Sequence, residues 1–326
     1  MEPASEARLD PASSEVGGPD RRRKDGQHRV LVTGASGFIG ARLGAELVRA
    51  GHDVRAMTRN PERYAATGTP VFGDVSDPDS LRAALDGVEA AYYLVHSLDA
   101  VDFVRRDAGA ALAFGRAARG ADLRRVVYLG GLGNDADQLS AHLRSRREVE
   151  RLLTATGVPV TVLRAGIVLG AGGLSFELMR QLVVRLPVMV TPRWVKTRSQ
   201  PIAVTDVVAY LVGVLTADEA AGQTYEVGGP EVLAYREMLV RVARAVHRRL
   251  YVWPVPLLTP RLSSAWLALV TDVTVPAARA LIDSMTNEVI VSDPAIQRLV
   301  PRDLLGFDDA VRLALEEGRG DGHHRG

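Results

Sequence analysis

Val30-Leu31-Val32-Thr33-Gly34-Ala35-Ser36-Gly37-Phe38-Ile39-Gly40 sets three glycines at a G-x-x-G-x-x-G spacing directly behind an apolar run. Ile39, Leu43 and Leu47 then repeat at the i, i+4, i+8 interval of one helix face, and Gly51 ends that pattern. A glycine triplet alone is weak evidence. Between a strand and a helix it predicts a phosphate-binding turn. Missing side chains let the backbone approach a pyrophosphate, and the helix start offers free N–H groups and the positive end of its dipole. A tight turn without a ligand is the alternative.

Working outward, strand-like runs fall at His28–Val32, Val54–Thr58, Val71–Phe72, Ala90–Val95, Arg125–Leu129 and Val158–Leu163. Helical patterns alternate with them: one capped by Asp79 and running through Leu85, one from Val101 to Ala118, one from Ser140 to Thr156. That alternation predicts an α/β, doubly wound, mostly parallel Rossmann sheet. Beyond Arg164 the rhythm loosens into a smaller, mainly helical C-terminal region. A helix is expected at Ser175–Arg185, an extended loop at Pro187–Gln200, a helix at Asp206–Leu215, a strand at Thr224–Val227 and a helix at Tyr235–Arg248. Short helices broken by prolines are expected after Tyr251. The expected organisation is a disordered tail over 1–27, a nucleotide-binding core over 28–164, a substrate region over 165–317 interleaved with the last sheet elements, and a second tail over 318–326.

The second strand identifies the dinucleotide. An acid at its end would bond a ribose 2′-hydroxyl and select NAD. The strand ends Met57-Thr58-Arg59-Asn60 instead, with Asp53 at its beginning. The guanidinium of Arg59 suits a 2′-phosphate, so NADP is expected ahead of NAD. A solvated strand-end arginine is the alternative.

Composition narrows the rest. The 326 residues carry a net charge of +1, which gives no support to a nucleic-acid partner held through phosphates. There is no cysteine, so disulfides, cysteine-zinc sites and thiol nucleophiles are excluded. No His/Asp/Glu cluster has metal-ligand spacing, and no metal is expected. No secretory signal and no apolar run of membrane-spanning length is found, so a cytoplasmic location is expected. A small-molecule substrate is the expected partner, with a homo-oligomer also open. The apolar face Leu262, Trp266, Leu269 and Val270, and the basic edge of Arg193, Lys196 and Arg198, leave a peripheral membrane contact open.

The chain resembles the short-chain dehydrogenase/reductase superfamily over about residues 28 to 316. More narrowly it resembles the atypical, extended NmrA-like or NAD(P)H-binding members, a broad group that includes the nucleotide-binding accessory subunit of respiratory complex I. The resemblance rests on Thr33–Gly40, Gly73-Asp74-Val75, Tyr93-Leu94-Val95-His96, Tyr128-Leu129-Gly130-Gly131 and Tyr225-Glu226-Val227-Gly228-Gly229-Pro230. It implies a cofactor site built from Gly34, Ser36, Gly37, Phe38, Ile39, Gly40, Arg59, Asp74, Val75, Leu94, Val95 and His96. In such proteins the acid matching Asp74 bonds the adenine amino group, and the segment matching Leu94–His96 runs beside the riboses.

The catalytic positions depart from the family. Its reductases use a serine after the fifth strand and a Tyr-x-x-x-Lys pair on the next helix. Here the serine position reads Gly130-Gly131, and the only lysines are Lys24 and Lys196, so no such pair exists. His142 and Arg146 stand where the tyrosine and lysine would. With Val149 and Leu153 they form one helical stripe, whose N-terminal end should meet the crevice at the strand ends. Histidine would serve there as acid or base, and Arg146 would lower its pKa and position the ribose.

The function expected is NADP(H)-dependent hydride transfer to a carbonyl, enone or quinone-like small molecule. The alternative is a non-catalytic NADP(H) sensor or structural nucleotide binder, with a cofactor-dependent epimerase as a third option. Weaker site candidates are Asn134, Asp135 and Arg164, with Phe176, Met179, Met189 and Trp194 as an apolar substrate wall.

Overall fold

The computed structural model describes residues 26–97, 100, 102–191, 193–254, 271–272 and 274–322. The face from Leu262 to Val270, the helix start at Val101, residues 1–25 of the first tail and residues 323–326 of the second lie outside the described residues.

Seven strands form the central sheet: β1 (Arg29–Val32), β2 (Asp53–Thr58), β3 (Thr69–Phe72), β4 (Ala90–Tyr93), β5 (Arg125–Gly131), β6 (Val160–Ala165) and β11 (Thr224–Val227). Their order is β11-β6-β5-β4-β1-β2-β3, and every neighbouring pair is parallel. The order reverses between β1 and β4, so the crevice opens at the C-terminal ends of those two strands. Central strands bury both faces, as the apolar run Val30-Leu31-Val32 requires. Pro70 sits in β3, the edge strand, where no ladder donor is lost.

Helices α1 (Phe38–Arg49), α2 (Pro78–Leu85), α3 (Phe103–Gly120) and α4 (Ala141–Thr154) make the crossovers. Ser140 caps α4 by accepting from the Leu143 N–H. Asp77, and not Asp79, caps α2: it accepts from the Asp79 N–H, with Pro78 as the first helical residue. Proline suits that position because it lacks a donor the helix could not use.

The remaining elements are β7 (Val168–Leu169), α5 (Leu174–Arg185), β8 (Val188–Thr191), β9 (Arg198–Ser199), β10 (Ile202–Ala203), α6 (Val204–Thr216), β12 (Leu233–Ala234), α7 (Tyr235–Ala245), β13 (Tyr251–Pro254), α8 (Val275–Ser284), α9 (Ala295–Leu299) and α10 (Phe307–Gly322). Two expectations fail here. The stretch 187–200 is not one extended loop: it holds β8, a one-turn helix at Arg193–Lys196 and β9. The segment after Tyr251 opens with a strand that pairs in parallel with β8, more than fifty residues upstream. Local pattern could not show either strand, because each exists only through its distant partner. The last helix also continues to Gly322, past the tail boundary expected at 317.

A second apolar core lies under these elements and joins Phe176, Met179, Leu182, Met189, Trp194, Tyr235, Met238, Ile282 and Phe307. Phe176, Met189 and Trp194 are therefore packing residues in this structure. Arg42 stitches the two regions together, reaching the Ala171 carbonyl at 3.0 Å and Glu317 at 2.9 Å.

Candidate functional site

A groove of about 800 Å3 lies over the ends of β1 to β4. Its floor is Gly34 and Ser36 from the first turn, Met57 to Asn60 at the end of β2 and just beyond, and Gly73 to Ser76 after β3. Val95, His96 and Ser97 follow β4, and Arg105, Arg106, Gly109 and Ala110 of α3 close the far wall. Of the residues expected at a cofactor, Gly34, Ser36, Arg59, Asp74, Val75, Val95 and His96 line this groove. Gly37, Phe38, Ile39, Gly40 and Leu94 do not line it. They shape the turn behind it.

The first turn is compressed. Gly34 has φ +64°, and a side chain there would press on the Leu94 carbonyl. Its own carbonyl accepts the Gly37 N–H at 2.9 Å. A Cβ on Gly40 would lie 2.2 Å from that same carbonyl oxygen. Thr33 ties the turn to the neighbouring strand, donating to the Tyr92 carbonyl and accepting from the Leu94 N–H, both at 3.0 Å. The start of α1 has no capping side chain and no acid in its first turn. Its free N–H groups and dipole thus meet the groove uncompensated, as an anion requires. The Phe38 ring faces away, against Gly170 and Gly173, with Arg42 stacked over it at 4.9 Å.

Charges along the groove are set by local bonds. The Asp74 carboxylate accepts from the Ser76 N–H at 2.8 Å and the Ser76 hydroxyl at 2.6 Å. These bonds, with a smaller push from Arg59, hold its pKa below the usual carboxylate value. Both bonds fall on one oxygen, Oδ1, so the other remains to accept from a ligand. Among the described residues, the side chains of Arg59 and Arg105 make no hydrogen bond or ion pair, whereas Arg106 pairs with Asp102 at 2.8 Å.

The helix stripe falls as the periodicity requires. Arg146, Val149 and Leu153 are buried, and His142 faces the strand ends. His142 borders a separate cavity of about 90 Å3, lined mostly by Leu132, Leu143, Ile167, Met179, Tyr235, Leu281 and Met285. Its Nδ1 is buried with no partner. Burial, then the nearby Arg146 and His96, push its pKa down to about 3. It is therefore a neutral imidazole at pH 7.

Arg146 is held differently from the sequence expectation. It is 6% exposed, and its guanidinium pairs at 2.9 Å with Asp107, itself 2% exposed. Ser97, on the groove wall, hydrogen-bonds that carboxylate as well. Burial raises the Asp107 pKa, and Arg146 and Ser97 oppose it. The Tyr128 hydroxyl donates to the Arg146 carbonyl at 3.2 Å, and Tyr93 lies beside Tyr128 with its hydroxyl unpartnered. Sequence reasoning missed Asp107. Its signal was available: Asp107, Ala111, Phe114 and Ala118 form one buried stripe, so a carboxylate sat on an apolar face.

The weaker candidates resolve into ion pairs. Arg164 binds Glu150 at 2.6 and 3.1 Å and approaches Asp135 at 3.4 Å. Arg147 also meets Asp135, so this cluster braces α4 against the sheet. Asn134 accepts from the Ala136 N–H in an exposed turn. Arg198 pairs with Glu288, and Lys196 is exposed. The Arg193 side chain lies outside the described residues. Met179 alone of the expected apolar wall borders the His142 cavity.

Residues 34–182 match a family of NAD(P)H-binding proteins, and the match covers the turn, the groove and α4. The matched stretch is a little under half of the chain. A ketoreductase of Stigmatella aurantiaca, acting by its name on 4-hydroxy-2-methyl-3-oxo-4-farnesyl-3,4-dihydroquinoline-1-oxide, is 24% identical across 91% of this chain and 99% of its own. The triphenylmethane reductase of Citrobacter sp., solved with NADP(H), superposes with a TM-score of 0.71 at 18% identity, covering 88% of this chain and 99% of that one. An NADPH-dependent quinone oxidoreductase of Escherichia coli gives 0.70 at 18% identity, over 86% and 98%. These structures share the fold. The first curated relatives match over only 18 to 34% of their own lengths. Among the described residues no group of His, Asp and Glu is arranged to hold a metal, and no helix is long and apolar enough to cross a membrane.

Proposed function

We propose that this protein binds NADPH in the groove and uses it to reduce a carbonyl, enone or quinone-like small molecule. The observation that carries the reading is the groove itself: an uncapped helix start behind a compressed glycine turn, with an Arg59 that has no partner among the described residues and a half-satisfied Asp74 lining the same groove. The turn from Gly34 to Gly40 would hold the pyrophosphate, Arg59 the 2′-phosphate, Asp74 the adenine amino group, and Leu94 to His96 the riboses. When bound, the nicotinamide supplies a hydride.

His142 then has one role its environment permits. A histidine kept neutral cannot act as an imidazolium acid at pH 7, but its N–H can hydrogen-bond an oxygen that gains negative charge. The apolar lining beside it favours a hydrophobic substrate. The names of the Stigmatella ketoreductase and of the dye and quinone reductases support that class. Arg146 would act through its pair with Asp107, keeping His142 neutral and in place, without bonding the ribose.

Titration with NADPH and NADH by fluorescence, followed by a panel of quinones, aldehydes and enones, tests the reading. Preferential NADPH binding with oxidation by one class of the panel is the expected result. Failure to bind either nucleotide would overturn it. A second reading, a nucleotide sensor without turnover, draws on Gly130-Gly131 at the serine position and on the small size of the His142 cavity. Tight binding without oxidation across the panel is the outcome that favours it.

A further inference from the structure

One face among the described residues is apolar, aromatic and exposed. β13 and β8 form a two-stranded parallel ribbon in which Tyr251 pairs with Val188 and Val252 with Met189. Strand alternation divides the ribbon sharply. Met189 and Val252 are buried in the second core. Tyr251 and Trp253 point the other way and are 56% and 65% exposed, with Val188 exposed beside them. Trp253 is the most exposed of the large hydrophobic side chains among the described residues.

Charge flanks this face. The chain from Ala245 to Pro254 contains Arg248 and Arg249 and no acid. Both arginines are exposed, and neither side chain pairs with a carboxylate among the described residues. They lie immediately before Tyr251, at the end where the strand enters the ribbon. Tryptophan and tyrosine carry an apolar body with a polar tip, the chemistry favoured at a membrane–water boundary. Exposed arginines beside them suit anionic headgroups. A second copy docked about a two-fold axis would bring this arginine pair against the same face of its partner, which like charges oppose.

We propose that the β8–β13 ribbon is a docking face for an anionic lipid bilayer, with Trp253 and Tyr251 inserted at the headgroup level and Arg248 and Arg249 on the headgroups. The inner side of the same ribbon packs in the core that supplies Met179, Tyr235 and Met285 to the His142 cavity. Docking would therefore place that cavity's wall close to a source of apolar molecules.

Co-sedimentation with phosphatidylcholine vesicles, with and without phosphatidylglycerol, tests this on the full chain. Binding is expected only to the anionic vesicles, and it should weaken as salt rises. Trp253→Ala should abolish most of it. Arg248→Ala and Arg249→Ala should each weaken it about fivefold. All three side chains are exposed, so folding should be retained, and an unchanged nucleotide titration of each variant confirms that. Absence of vesicle binding by the wild type would overturn the proposal, as would variants that bind like the wild type. Concentration-dependent self-association that Trp253→Ala removes would overturn it in favour of a second copy.

Discussion

Gly40→Ala is the most informative single change at the first turn. A methyl group there would lie 2.2 Å from the Gly34 carbonyl oxygen and 2.9 Å from the Ala35 Cα. Carbon–oxygen contacts settle near 3.3–3.6 Å, so the helix and the turn must separate by roughly 1 Å. Every obstructing atom belongs to backbone, and no side chain can swing aside. Helix propensity favours alanine by about 0.5–1 kcal/mol, while overpacking costs about 1–3 kcal/mol. The net expectation is a loss of about 1–2 kcal/mol of stability, read as a lower urea midpoint. The displaced Gly34 carbonyl also holds the Gly37 N–H. NADPH affinity should therefore fall at least about tenfold, or 1.4 kcal/mol, in a fluorescence titration. Gly109→Ala is the control for stability. It is an exposed residue within α3, and its Cβ would meet nothing within 4 Å. It should gain about 0.5–1 kcal/mol. A Gly40→Ala protein with wild-type stability and affinity would refute the reasoning, as would a Gly109→Ala protein that loses as much.

Three other outcomes are expected. Arg59→Ala should weaken NADPH by about 10- to 100-fold, the range of a charge-assisted hydrogen bond, and leave NADH nearly unchanged; equal losses in parallel titrations would remove the 2′-phosphate role. Asp107→Ala leaves the Arg146 guanidinium buried without its partner and should cost about 3–5 kcal/mol in urea unfolding; a loss under about 1 kcal/mol would show that the pair is not closed off from water. His142 has a folded pKa of about 3 against an ordinary 6.5, so the unfolded chain takes up its proton first. Its contribution is complete above pH 6.5 and is lost as pH falls toward 3. The wild type should therefore lose stability relative to His142→Gln over that window, and midpoints that run parallel would contradict a buried neutral imidazole.

The glycine spacing from Gly34 to Gly40, the apolar run before it and the i, i+4 pattern after it are local. Steric and helix-dipole constraints act over about ten residues there, so the sequence by itself determined the turn, the parallel sheet and the side of the sheet where the groove opens. It also determined what is missing, because two lysines at 24 and 196 exclude a Tyr-x-x-x-Lys pair whatever the fold. The helix stripe put His142 and Arg146 on the sheet-facing side of α4, both toward the crevice. Only the tertiary structure decided what those residues meet. Arg146 turns to Asp107 because α3 and α4 pack side by side, bringing together residues 39 positions apart in the chain. Arg164 likewise spends its charge on Glu150 and Asp135. β8 and β13 arise from a pairing that neither segment signals alone, and with them comes the exposed face of Tyr251 and Trp253. Backbone conformation is written in neighbouring residues, whereas a charge's partner and a strand's exposure depend on which distant segments the core brings into contact.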